Sequence, residues 1–242
     1  MKKHLSVFML MAQSTIYKII GVFIVMAAAE WSLFYARLKQ GATGDRFNLE
    51  LVVEESHILW GFAIAFVLIT ILLCQTGCGF SSKVGYTIKR LSISEKMVFF
   101  WQSLYNVICF CLFWMVQILL VFGFCNLYVK MAPEGYVTNQ TVFLAFYRSD
   151  FLHSLLPMED VGFWIKNIMI VLGMGICSAG YPVSQRRGKK IQEVIPLAGC
   201  IMVFFVGELG EFLTPAIVIC TCILGIIITV FHLFEYASYE CS

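Results

Sequence analysis

Charge is what this sequence has least of. Asp, Glu, Lys and Arg make up 13% of its 242 residues, against roughly 25% in a soluble domain, and 60% are hydrophobic. Mean hydropathy is +0.84. So little charge excludes a water-soluble globule, and nothing in the chain offers nucleic acid a basic surface. The formal net charge of +2 identifies no partner; the placement of the charges carries more information.

Chemical motifs are also missing. A phosphate-binding loop needs G-x-x-x-x-G-K-[ST], so that backbone amides cradle phosphate and Lys reaches it. The only Gly-Lys step is Gly188 followed by Lys189; Lys190 comes next, and Val183 stands where the first glycine belongs. The chain therefore hydrolyses no ATP by that device. No H-E-x-x-H or G-x-S-x-G occurs, so an intramembrane metalloprotease or serine esterase has no support. The four histidines do not form a haem pair, because His57 and His232 lie at opposite ends of their spans. The expectation is a chain with no catalytic residue, metal or cofactor of its own.

Ten cysteines are present, yet none falls in an outer loop where an oxidising compartment would pair it. Seven lie within apolar runs, where Cys packs as a small hydrophobe. Cys74 and Cys78 lack a second pair of ligands for a metal.

What the chain has in abundance is apolar runs. A spanning helix needs about 20 mostly apolar residues. Six segments are read as spans: 16–36, 56–74, 97–129, 161–180, 194–207 and 212–236. The third is long enough to tilt or project. The fifth is short and ends in acids, as one arm of a tight hairpin with the sixth. With the N-terminus inside, eleven Lys and Arg fall on the inner side and six on the outer, which favours cytoplasmic termini. No small-residue cleavage site precedes the first span, so an uncleaved N-terminus is expected. Outside, "TVFLAFYRSDFLHSLLP" repeats its apolar residues at near-helical spacing and reads as an interfacial helix. "LSVFMLMAQSTIYK" reads the same way on the inner surface.

Lipid penalises intramembrane polar groups, which makes them the candidate functional residues. They are Glu30 in the first span, Gln75 at the inner end of the second, Asn106, Gln117 and Asn126 in the third, and Lys166 with Asn167 in the fourth; Glu208 and Glu211 bracket the last hairpin. Helix-to-helix hydrogen bonding and snorkelling explain such residues as well as function does. The matching depth of Glu30 and Lys166 allows an ion pair between them.

Between spans two and three lies "GYTIKRLSISEKMVFFWQSLYN". It opens polar and basic, offers Ser92 or Ser94 as a helix cap, and runs without Gly or Pro into the third span. As a plain cytoplasmic loop it satisfies the positive-inside rule. As a helix it resembles the coupling helix of ABC-2 type permeases, the membrane subunits of the type V exporter class, and specifically their small Firmicutes-like members. The resemblance extends to the six spans and to "FLAFYRSDFLHSLLP" outside. It departs at "GELGEFLTP", too short for the re-entrant element many members carry between spans five and six.

The resemblance implies an all-α polytopic membrane protein, a single domain over 1–242. Six transmembrane helices have cytoplasmic termini, a coupling-type helix between spans two and three, and an outer amphipathic helix between spans three and four. It implies a multi-pass permease of the bacterial plasma membrane, forming a substrate pathway as a homo- or heterodimer. A separate cytoplasmic ABC ATPase would hold ATP and Mg. Thr87, Lys89, Arg90, Leu91, Ile93, Glu95 and Lys96 would meet that ATPase. The competing expectation is a non-transporting scaffold, sensor or immunity protein that anchors an ATPase.

Overall fold

In hydrocarbon every backbone N–H and C=O must be satisfied within its own segment, so long apolar runs fold as helices. The computed structural model describes residues 2–41, 48–76, 94–132, 139–158, 160–186, 194–205 and 213–239, and all its described elements are helical. These are α1 (Lys2–Gly41), α2 (Leu49–Glu55), α3 (Ile58–Gln75), α4 (Glu95–Met131), α5 (Asn139–Arg148), α6 (Asp150–Leu155), α7 (Val161–Arg186), α8 (Val194–Phe204) and α9 (Leu213–Tyr239).

Among the described residues five helices are long and apolar enough to cross a membrane: Phe8–Gln40, Ile58–Gln75, Glu95–Met131, Val161–Gln185 and Leu213–Leu233. The chain is a multi-pass helical membrane protein. The expected fifth span, 194–207, is not among these five, and its last two residues lie outside the described residues. Its helix α8 has 11 residues, about 16 Å of rise against a hydrocarbon core of about 30 Å. Hydropathy is high through Phe205, but the described helix stops at Phe204.

Side-chain contacts give the helix directions. Thr15 meets Tyr105, Phe23 meets Phe113 and Phe34 meets Phe124, so α1 and α4 are parallel. Phe62 stacks on Phe113, and Gln102 reaches Thr76, so α3 opposes α4. Trp114 meets Trp164 and Asn106 meets Ser178, so α7 also opposes α4. Gly173 lies against Cys222 and Gly180 against Thr229, which makes α9 parallel to α7. Cys200 lies 3.5 Å from Thr221 and Leu197 lies beside Gly225, so α8 runs antiparallel to α9. It follows that the start of α1 and the end of α9 share one end of the bundle, the terminal end. The short helices α2, α5 and α6 gather at the other, the loop end.

Two helices outrun the rest. α1 has 40 residues and α4 has 37. Trp114 already meets the first turns of α7, which leaves residues 115–131 of α4, about 25 Å, extending past them. That extension packs Phe124 on Trp31 and Phe34 of α1, and Phe122 on Phe146 of α5. Between α2 and α3 the chain turns at His57, whose φ of 54° is a left-handed conformation that His adopts more readily than bulky residues.

Two surface-helix expectations are also corrected. "LSVFMLMAQSTIYK" is not a separate surface helix, because α1 runs continuously from Lys2 through it. The outer element is two helices, broken at Ser149, rather than one. Phe146, Phe151, Leu152 and Leu155 are buried against the bundle, while Phe143, Leu144 and Tyr147 stay exposed. Arg148 of α5 lies 3.9 Å from Glu50 of α2, tying the two short helices together.

The seam between α4 and α7 is the tightest described. A Cβ at Gly175 would lie 2.9 Å from the backbone nitrogen of Val107, so only glycine lets these two backbones come so close. One turn away Asn106 donates to Ser178 Oγ at 2.9 Å, and Ser178 donates to the carbonyl of Gly175 at 3.1 Å.

Candidate functional site

At the level where α3 begins, Glu30 of α1 turns into the bundle. Gln117 of α4 donates to its Oε2 at 2.9 Å. Gly61 of α3 leaves room for it: a Cβ there would sit 3.0 Å from Glu30 Cγ and 3.2 Å from Oε1. Glu30 and Gln117 are both fully buried, and Glu30 Oε1 has no hydrogen-bond partner among the described residues.

A second cluster joins α6, α7 and the end of α8. Lys166 is fully buried and donates to Ser154 Oγ at 2.8 Å. Its ammonium sits 4.4 Å from the Phe163 ring centre and 5.5 Å from that of Phe205, faces that attract a cation. Ser154 donates to the carbonyl of Phe205. Asn167 donates to the carbonyl of Ser154 at 2.9 Å, and Trp114 to that of Leu155 at 3.2 Å. A serine bonded to a lysine has the makings of a nucleophile and its base. Ser154, however, is 3% exposed and Lys166 not at all, so the pair is closed off from the surface in this structure. What the pair does is fasten α6 onto α7 and α8.

The expected Glu30 to Lys166 ion pair is not formed; each binds a different partner, Gln117 and Ser154. Asn126 is exposed on the outward face of α4 and joins neither cluster. Of the coupling residues, Glu95 and Lys96 open α4, half-buried and exposed respectively. Ser94 holds the N-cap position, its carbonyl accepting from Met97 and Val98 at 3.0 and 3.2 Å. Thr87, Lys89, Arg90, Leu91 and Ile93 lie outside the described residues, as do Glu208 and Glu211.

Several bonding residues were not among the sequence candidates. Gln102 donates to the carbonyl of Thr76 at 2.7 Å, and Thr15 shares a 2.8 Å hydrogen bond with Tyr105. Gln102 carried the same signal as Gln117, an amide in an apolar run. Ser154 carried none, because it sits in the segment read as an interfacial helix outside the spans.

Beside the Lys166 cluster the helices part. A cavity of about 270 Å³ lies between α3, α4, α7 and α8, walled by Phe62, Phe66, Phe110, Phe113, Val171 and Met202 among others. Phe62 stacks on Phe113 at 4.9 Å and on Phe205 at 5.1 Å along its wall. Asn167 and Trp114 also line it. The arrangement can take up apolar material, its described lining being apolar apart from Asn167 and the indoles of Trp60 and Trp114.

Fold and site together define a multi-pass helical membrane protein with an apolar cavity opening between its spans. Comparison with protein-family models, curated proteins and solved structures gives no match.

Proposed function

We propose that this chain is the membrane subunit of an ATP-driven exporter, working as a dimer with a separate cytoplasmic ATPase that holds ATP and Mg. The terminal end of the bundle then faces the cytoplasm of a bacterial cell, in line with the count of Lys and Arg. One observation carries the reading. α4 is a single helix from Glu95 to Met131, and it begins directly after the basic segment 87–94. A force applied to that segment enters α4, which is clamped to α7 at Asn106 and Ser178 and to α1 at Tyr105 and Thr15. Both neighbours then move with it, a rigid-body transition of the kind transporters use. The resemblance of "TIKRLSISEK" to a coupling helix supports the same reading.

The test is purification of the tagged chain in mild detergent from its own cells, with mass spectrometry of what accompanies it. The expected result is a stoichiometric ATPase that is lost when residues 87–96 are scrambled. A chain that purifies with no ATPase overturns the proposal. An ATPase that binds but whose turnover responds to no amphiphile turns the assignment to an anchoring or immunity protein.

A further inference from the structure

We propose that the cavity between α3, α4, α7 and α8 holds an acyl chain of a bilayer phospholipid. The inference is independent of any ATPase partner.

Size is the first argument. At about 270 Å³ the space is nearly twice an apolar cavity of about 150 Å³ that stays dry and takes up benzene. A second copy of the chain cannot occupy it with a helix, which is about 10 Å across. A single flexible chain fits.

Wall chemistry is the second. Water needs two to four polar partners to occupy a cavity. The polar side chains of this wall are Asn167 and the indoles of Trp60 and Trp114; the N–H groups of Asn167 and Trp114 already serve the carbonyls of Ser154 and Leu155, and Trp60 stands at the exposed rim. Both carbonyls are acceptors, which fixes the Asn167 amide with its nitrogen toward α6. Its Oδ1 is covered, with no accessible area to offer an occupant. The cavity therefore presents hydrocarbon walls, and the occupant it suits makes no hydrogen bond.

Position is the third. Trp60 of α3 and Val203 of α8 line the cavity and are each 66% exposed. The mouth thus opens on the outer surface of the bundle between two apolar helices, where a membrane protein meets lipid tails. The α6 carbonyls that hold Asn167 and Trp114 close its loop end, so a chain enters sideways.

The full-length protein is reconstituted in phosphatidylcholine bilayers in which a fraction of the lipid carries a photoreactive diazirine on its acyl chain. After irradiation, labelled residues are mapped by mass spectrometry. Labelling is expected on Phe66, Val171 and Met202 inside the cavity, and on the outward-facing Leu119 and Phe231. Ala63→Phe, which fills the cavity from α3, should lower the inner labelling several-fold and leave Leu119 and Phe231 unchanged. Met202→Trp fills it from α8 and serves if the first variant fails to fold. Labelling confined to Leu119 and Phe231, or inner labelling that survives both filled variants, overturns the proposal.

Discussion

Gly175 and Val171 stand one turn apart on α7 and face opposite conditions. At Gly175 the backbones of α4 and α7 nearly touch, and the place of a Cβ is 2.9 Å from the Val107 nitrogen. At Val171 the same helix borders an open cavity. Both surroundings are apolar, so hydrophobicity does not separate them. What separates them is side-chain size. Glycine, serine and a small amide draw two helices together, whereas the large rings of Phe62, Phe66, Phe110 and Phe113 prop their helices apart. Lipid tails are as apolar as side chains, so tight packing by small residues, rather than burial, joins helices in a membrane.

One added methyl group sharpens the comparison. Gly175→Ala pushes a Cβ into backbone, which cannot rotate away, and is expected to cost about 2 kcal/mol or more. Thermal unfolding in detergent checks it; an unchanged midpoint would show the seam to be looser than described. A smaller effect is expected from the hydrogen bond that borders this seam. A double-mutant cycle of Asn106→Ala and Ser178→Ala should give a coupling of about 0.6 kcal/mol, within the range of interhelical bonds in membranes; zero coupling would leave packing alone to hold the seam. Val171→Ile adds its methyl toward the cavity rather than against backbone and is expected to stay within about 0.5 kcal/mol of the unaltered protein. A loss at Val171 as large as that at Gly175 would erase the distinction between the two sites.

Much of the helical plan was legible, because lipid forces long apolar runs into helices and excludes charge from them. The inward placing of Glu30, Gln117 and Lys166 was legible for the same reason: a buried polar side chain in a span has to face other helices. Their partners were not. Gly61 makes the space for Glu30, but a glycine barely registers in hydropathy. Ser154, the partner of Lys166, arrives from a short helix read as part of a surface element. Asn126 went the other way, because α4 is apolar on every side and its sequence carries no phase to show which face turns inward. The end of α8 at Phe204 was hidden similarly: apolar residues continue past it, so composition alone does not mark the stop.

The unequal lengths of the helices give the molecule a lever arm. If Asn106 and Ser178 act as the fulcrum, 25 residues of α4 lie beyond it, out to Met131. At 1.5 Å per residue that arm is about 37 Å, so a tilt of about 10° sweeps its tip through about 6 Å. The stub below the fulcrum, from Glu95 to Asn106, is less than half as long and travels correspondingly less. On the proposed mechanism a small displacement at the terminal end would be magnified at the loop end, where α5 packs on α4 through Phe146 and Phe122.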